Sequence, residues 1–359
     1  MKIKSKSFYF NIFAIFFAFT LLFCGCNTGE QRYFTAFNKT AVTVQARNKK
    51  ISDAAAQQIT DFLADLNAEF SATVGDSTVS KINRAGAGEK TEISERFRIV
   101  AATCGQIYDF TDGKFDPSVY PLTILWQFSP NYPVPQFSLP TENEIAAAKS
   151  LVGYNKFSFL NGAVKSVANA KLDFGGALKG YAADKIAEIL IDDGVTEGFV
   201  NVGGSSLYII ATDSLSIMHP RGEDNILEIK IKEKNLSVST SGDYQKTYEL
   251  NGKSYSHIIN PKTGFPQDTG VASVTVIGTN GLKLDALSTA LCLFEHDFSH
   301  PENGALYKFI QKALSSEDFN NSQIFAVCVN GDEKQILTNK KQGEDFTLSD
   351  TDYAVINVG

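Results

Sequence analysis

Leu172-Asp173-Phe174-Gly175-Gly176-Ala177-Leu178-Lys179-Gly180-Tyr181-Ala182-Ala183-Asp184 reads as a short strand, a glycine turn and the opening of a helix. Paired glycines let backbone approach a ligand, and the amides at a helix N-terminus favour phosphate. The stretch is neither GxGxxG nor a GxxxxGK[ST] loop. A tight structural turn would use the same residues, so the segment gains meaning only from its surroundings. Downstream, the helix runs on to residue 191, and residues 198–202 form a strand that ends at Gly203-Gly204. Further strands are predicted at 207–211, 226–231, 237–240 and 271–277, with helices at 281–294 and 304–314. Asn330-Gly331-Asp332 joins 324–329 to 335–338 as a hairpin.

Upstream, residues 41–47 alternate as a strand, and Ser52 opens a helix with Ile59, Phe62, Leu63, Leu66 and Phe70 on one face. A second helix spans 92–110 and stops at Asp112-Gly113. Four prolines make 126–140 a loop, Thr141 and Glu144 form a capping box, and strands follow at 157–160 and 164–167. No linker divides the chain. The expected class is α+β, a single mixed α/β body.

The 359 residues are 43% hydrophobic and 20% charged, a globular balance that excludes a disordered chain. The net charge of −7 argues against binding nucleic acid through its backbone. Cys104, Cys292 and Cys328 sit among apolar neighbours and read as small buried hydrophobes. No CxxC pair or histidine cluster points to zinc.

The N-terminus reads as an address. Lys2, Lys4 and Lys6 precede an apolar run over 8–23, a signal peptide covering residues 1–25. Gly25-Cys26 resembles a bacterial lipobox, which makes Cys26 the residue for lipidation. The expectation is an exported protein anchored by lipid to a bacterial membrane, with a linker over 26–40 and the body over 41–359.

Three more segments look unlike scaffold. Phe199-Val200-Asn201-Val202-Gly203-Gly204-Ser205 puts bare backbone at a strand end, where a bulge would look the same. His257 precedes the turn Asn260-Pro261-Lys262-Thr263-Gly264, a place from which a side chain reaches a cleft. Asp285 and Thr289 lie four apart on a helix, so their oxygens share a face. A carboxylate with a hydroxyl suits Mg²⁺, though Thr289 bonding back to the Asp285 carbonyl is an equally good reading.

Together and in this order, these segments resemble the FAD:protein FMN transferase family, also called ApbE. Gly113-Lys114-Phe115-Asp116-Pro117-Ser118 is similar to the family's G-x-F-D-P-T/S segment, and Asn83 in Ser80-Lys81-Ile82-Asn83-Arg84 matches its S-x-x-N. The resemblance implies an α+β body holding FAD in a long cleft. It implies an enzyme that cuts the FAD pyrophosphate with Mg²⁺, links FMN to a Thr or Ser of an acceptor protein and releases AMP.

By the same resemblance, Asp285, Ser288, Thr289 and the Gly176 carbonyl hold the metal. Phe37, Asn83, Lys114, Phe115, Asp116, Asp173, Lys179, His257 and Ile259 line the FAD site. His257 lies next to the reacting phosphate, as general base with a pKa near about 6.5. Phe37 stands where the family has Met in A-M-G-T, Thr73 where an aromatic is common and Asn260 where Asp is frequent. The implied partners are FAD, an acceptor flavoprotein and the membrane. Two other readings use the same residues: an FAD pyrophosphatase yielding FMN and AMP, and an exported FAD-binding lipoprotein without turnover.

Overall fold

Val42, Val44 and Ala46 are buried while their neighbours in sequence are not, and this alternation makes Thr40–Ala46 a strand with one face to a core. The computed structural model describes residues 29–37, 39–129 and 138–359. Nine strands form its main sheet: β1 (Glu30–Ala36), β2 (Thr40–Ala46), β3 (Gly198–Val202), β4 (Ser206–Ala211), β5 (Leu236–Gly242), β6 (Val271–Gly278), β7 (Gln323–Asn330), β8 (Glu333–Thr338) and β9 (Ala354–Asn357). They lie side by side in chain order, antiparallel except for the parallel pair β8–β9. The linker expected over 26–40 is corrected here. From Glu30 onward it is β1, an edge strand paired with β2 over its full length.

The helices are α1 (Asp53–Phe70), α2 (Thr78–Arg84), α3 (Glu95–Phe110), α4 (Tyr120–Leu125), α5 (Glu142–Ser150), α6 (Leu178–Asp192), α7 (Gly281–Leu291) and α8 (Ala305–Leu314). Five begin at side-chain caps: Ser52 and Thr141, as read from the sequence, and Ser77, Ser94 and Asn280 besides. α6 and α7 cover the middle of the sheet, and α1 and α3 pack outside them. The opposite face is closed by three short strands, Ser214–Met218, Asn225–Lys230 and Phe346–Leu348, over Ile209, Leu236, Val238, Ile277, Phe325 and Ile336.

β5 shows why the helices sit so close. Leu236 and Val238 face the far core, while Ser237 and Ser241 face α6 and α7 and bond to them. Small side chains on that face leave room for helix backbone.

Residues 171–174, expected as a strand, pair with no other strand. They run extended under Asn83, whose amide brackets Leu172: Nδ2 donates to its carbonyl at 2.9 Å and Oδ1 accepts from its N–H at 2.6 Å. Phe174 then packs T-shaped against the stacked rings of Phe70 and Phe97, with centroids 5.7 and 5.6 Å away. Helices α1, α2 and α3 thereby hold the glycine turn that follows.

Candidate active site

α6 and α7 run antiparallel and touch through glycine. A Cβ on Gly180 would lie 2.0 Å from the Gly281 carbonyl oxygen, and one on Gly281 would lie 2.4 Å from that of Gly180. No larger residue fits either position. The contact carries polar rungs. Thr289 Oγ1 donates toward the Gly176 carbonyl at 3.3 Å, and Gly180 N donates to Asp285 Oδ2 at 3.2 Å. Asp285 is 1% exposed, and Lys179 Nζ sits 3.4 and 3.3 Å from its two oxygens.

Of the two readings of Thr289, the bond back is the one observed: its hydroxyl is 3.0 Å from the Asp285 carbonyl. Ser288 faces the sheet instead: its hydroxyl bonds to Ser241 at 2.8 Å and donates to the Asp285 carbonyl at 3.0 Å.

One carboxylate, one hydroxyl and one backbone carbonyl therefore line the contact within one helical turn, the Thr289 hydroxyl on Gly176 and the Asp285 carboxylate on Gly180 N. All are oxygen donors, the chemistry a hard divalent cation prefers, so this set fits Mg²⁺. Among the described residues no group of three or more His, Cys, Asp or Glu side chains is placed to hold a metal. A cation here would keep water or substrate oxygens at its remaining positions.

The turns that frame the site gather at one end of the sheet. Phe37, at a φ of 45°, turns β1 into β2. Gly203 and Gly204, at φ of 66° and 74°, turn β3 into β4, and the Gly203 backbone packs against Thr40 and Lys179. β5 ends beside them, with Thr240 N donating to the Ser205 carbonyl at 2.7 Å. The next residues bring in Lys246, which the sequence reading missed. Its carbonyl accepts from His257 N at 3.0 Å. Its signal was position: a charged residue just past a strand that ends among ligand-facing turns.

Lys246 is accessible as a whole, yet the protein around it lowers its pKa by desolvation first and by Lys179 second, with Asp173 opposing. Its exposure lets water moderate that shift. His257 is partly exposed, and its Nδ1 is buried without a partner among the described residues. Burial first, then the charges of Lys246 and Lys179, push its pKa down to about 3. This corrects the expected value near about 6.5: in the folded protein the ring is neutral through the physiological range.

Asp173 accepts from Gly175 N at 2.8 Å, and burial raises its pKa. Phe115 is buried beneath Gly176, 3.4 Å from where a Cβ would stand. Lys114 Nζ donates to the Leu293 carbonyl at 2.7 Å, just past α7. Asp116 is buried and caps its own turn, accepting from Ser118 N at 2.7 Å and Ser118 Oγ at 2.6 Å. Ile259 is buried with Leu122, Trp126 and Ile145 and supports the loop behind His257.

Asn83 brackets Leu172 with one N–H and its carbonyl oxygen, and so supports the extended segment that leads into the glycine turn. Asn83→Ala orphans both Leu172 backbone groups and is expected to destabilise the fold by about 1–3 kcal/mol, read by thermal unfolding. Unchanged stability with weakened FAD binding would return Asn83 to direct ligand contact.

A family model described as the ApbE family matches residues 39–300. The chain belongs to the ApbE family. It is 30% identical over 226 residues to the FAD:protein FMN transferase of Escherichia coli K12, covering 60% of this chain and 64% of that one. The chain thus spans just under two thirds of that relative's length. The apo flavinyl transferase ApbE of Pseudomonas stutzeri superposes with a TM-score of 0.72 at 25% identity, over 88% of this chain and 96% of that one. The apbe protein of Thermotoga maritima gives 0.71 at 30% identity, over 84% and 94%. These ApbE folds share the α+β body described above.

Proposed function

We propose that this protein transfers FMN from FAD to a Thr or Ser hydroxyl of an acceptor protein. The observation that carries the reading is the α6–α7 contact itself, which sets the Thr289 hydroxyl against the Gly176 carbonyl and, one turn along, the Asp285 carboxylate against Gly180 N and Lys179. Mg²⁺ bound there would neutralise charge on pyrophosphate oxygens. Lys179 and Lys246 bring positive charge to the same place and orient the pyrophosphate. Bare backbone at Gly175-Gly176 lets it approach closely. His257, its ring neutral, is the residue that would take the acceptor hydroxyl's proton. The hydroxyl oxygen bonds to the FMN phosphorus as the bond to the AMP oxygen breaks, and AMP departs.

Incubation with FAD, Mg²⁺ and a Thr-bearing acceptor, followed by in-gel flavin fluorescence and AMP detection, tests this. Transfer yields protein-bound flavin and AMP. AMP without bound flavin is the result for a pyrophosphatase, and neither product is the result for a binding protein. The metal set favours turnover, since binding alone has no need of it.

We further propose that the body is exported and tethered by a lipid on Cys26, which lies outside the described residues. Among the described residues no helix is long and apolar enough to cross a membrane. With β1 starting at Glu30, a lipid on Cys26 would hold the edge of the sheet near the bilayer. Mass spectrometry of the mature N-terminus is expected to show a diacylated Cys26. An unmodified terminus further along the chain would overturn the anchor.

A further inference from the structure

A carboxylate outside this site ties the same two helices. Asp184 lies one turn beyond Gly180 on α6. Its Oδ2 accepts from Gly281 N at 2.7 Å, and its Oδ1 accepts from Ser237 Oγ at 2.6 Å. The contact continues a ladder: Gly176 faces Thr289, Gly180 faces Asp285 and Asp184 faces Gly281. The step is four residues on both helices.

Gly281 is the first residue of α7, so its N–H has no partner within the helix. Asn280 caps Lys283 N, and Asp184 satisfies Gly281 from the neighbouring helix. The glycine contact brings the helices close but has no side chains to interlock, so the register of α7 rests on directional bonds: Thr289 to Gly176, Gly180 N to Asp285, Ser288 to Ser241 and, at its first turn, Gly281 N to Asp184. A slip of one residue would move Asp285 by about 1.5 Å and turn it by about 100°. A directional bond at Gly281 opposes such a slip at the end of α7 that the other bonds do not reach. The bond is kept at a cost, since burial pushes the Asp184 pKa up to about 6.

We propose that Asp184 is a positioning residue: by clasping Gly281 N and Ser237 Oγ it sets the register of α7 on α6, and with it the spacing of Asp285 and Thr289 from Gly176. The inference rests on the reading of Asp285 and Thr289 as cation ligands.

The test uses the full chain and two readouts: hydrogen exchange of the α7 amides without metal, and calorimetric titration with Mn²⁺ in the presence of FAD. Asp184→Ala is expected to speed exchange through the first turns of α7 and to weaken Mn²⁺ binding by at least about tenfold. Asp184→Asn keeps an acceptor for Gly281 and a donor for Ser237, so it is expected to restore both readouts to within about twofold of wild type. A purely structural role would lower the melting temperature of Asp184→Ala and leave its Mn²⁺ affinity at the wild-type value; that result overturns the proposal. If Asp184→Ala does not fold, Ser237→Ala removes one anchor only, and a Mn²⁺ affinity equal to wild type there overturns it as well. A wild-type chain that binds no Mn²⁺ with FAD sinks both this inference and the metal reading. Wild-type binding matched by Asp184→Ala sinks this inference alone.

Discussion

Asp285→Asn is expected to lower Mg²⁺-dependent AMP release by at least about a thousandfold, the scale of the several kcal/mol a Lewis-acid cation supplies. The substitution is nearly isosteric. Its amide oxygen still accepts from Gly180 N, so the α6–α7 contact and the melting temperature should change little. What disappears is the only carboxylate in the oxygen set that lines the contact, and with it the charge that holds a dication beside Lys179. Asp285→Ala should do the same to turnover and also destabilise the fold, because Gly180 N loses its buried acceptor. Thr289→Ala should cost less, since water can replace a hydroxyl. Mn²⁺ calorimetry beside the AMP assay checks all three. Full turnover of Asp285→Asn at micromolar Mg²⁺ would remove Asp285 from the site.

For His257 the expected result is a loss of roughly 10²–10⁴ in single-turnover transfer on replacement by Ala, with FAD affinity nearly unchanged. The pH profile sharpens the test. The folded ring has a pKa of about 3, so kcat/KM owes no inflection to it near neutrality. Any limb from this group lies on the acid side. Lys246→Met removes a positive neighbour and should move that limb to higher pH.

The sign for stability follows from the same shift. Between about 3 and the ordinary value near about 6.5, the unfolded chain binds a proton that the folded chain does not. The contribution is full above about 6.5 and is lost as the pH falls toward 3, and His257→Asn should blunt that acid sensitivity. A histidine that only packs would lose FAD affinity and thermal stability together, with the chemical step unaltered.

Ser52 and Thr141 show how much of this fold was local. Each caps a helix within three residues of itself, which sequence spacing records directly. The alternation of β2 and the Asn330-Gly331 hairpin are equally short-range. So is the shared face of Asp285 and Thr289, because a helix repeats every 3.6 residues wherever it is placed. The strand expected at 171–174 failed for the opposite reason. Its hydrogen bonds go to the Asn83 side chain, and no local pattern announces a partner so far away in the chain.

By itself the sequence determined the six longest helices and two of their caps, most of the strands, the glycine turns and the order of the motifs that mark the ApbE family; the short helices α2 and α4 escaped it. The tertiary structure alone decided which oxygens meet. Gly176, Asp285 and Thr289 line one contact only because Gly180 and Gly281 let two helices touch backbone to backbone, a fit that depends on both surfaces at once. It also decided the charge state of His257, which neighbours in sequence do not govern. Burial and the ammonium groups of Lys246 and Lys179, brought in by the folding of distant segments, hold that ring neutral.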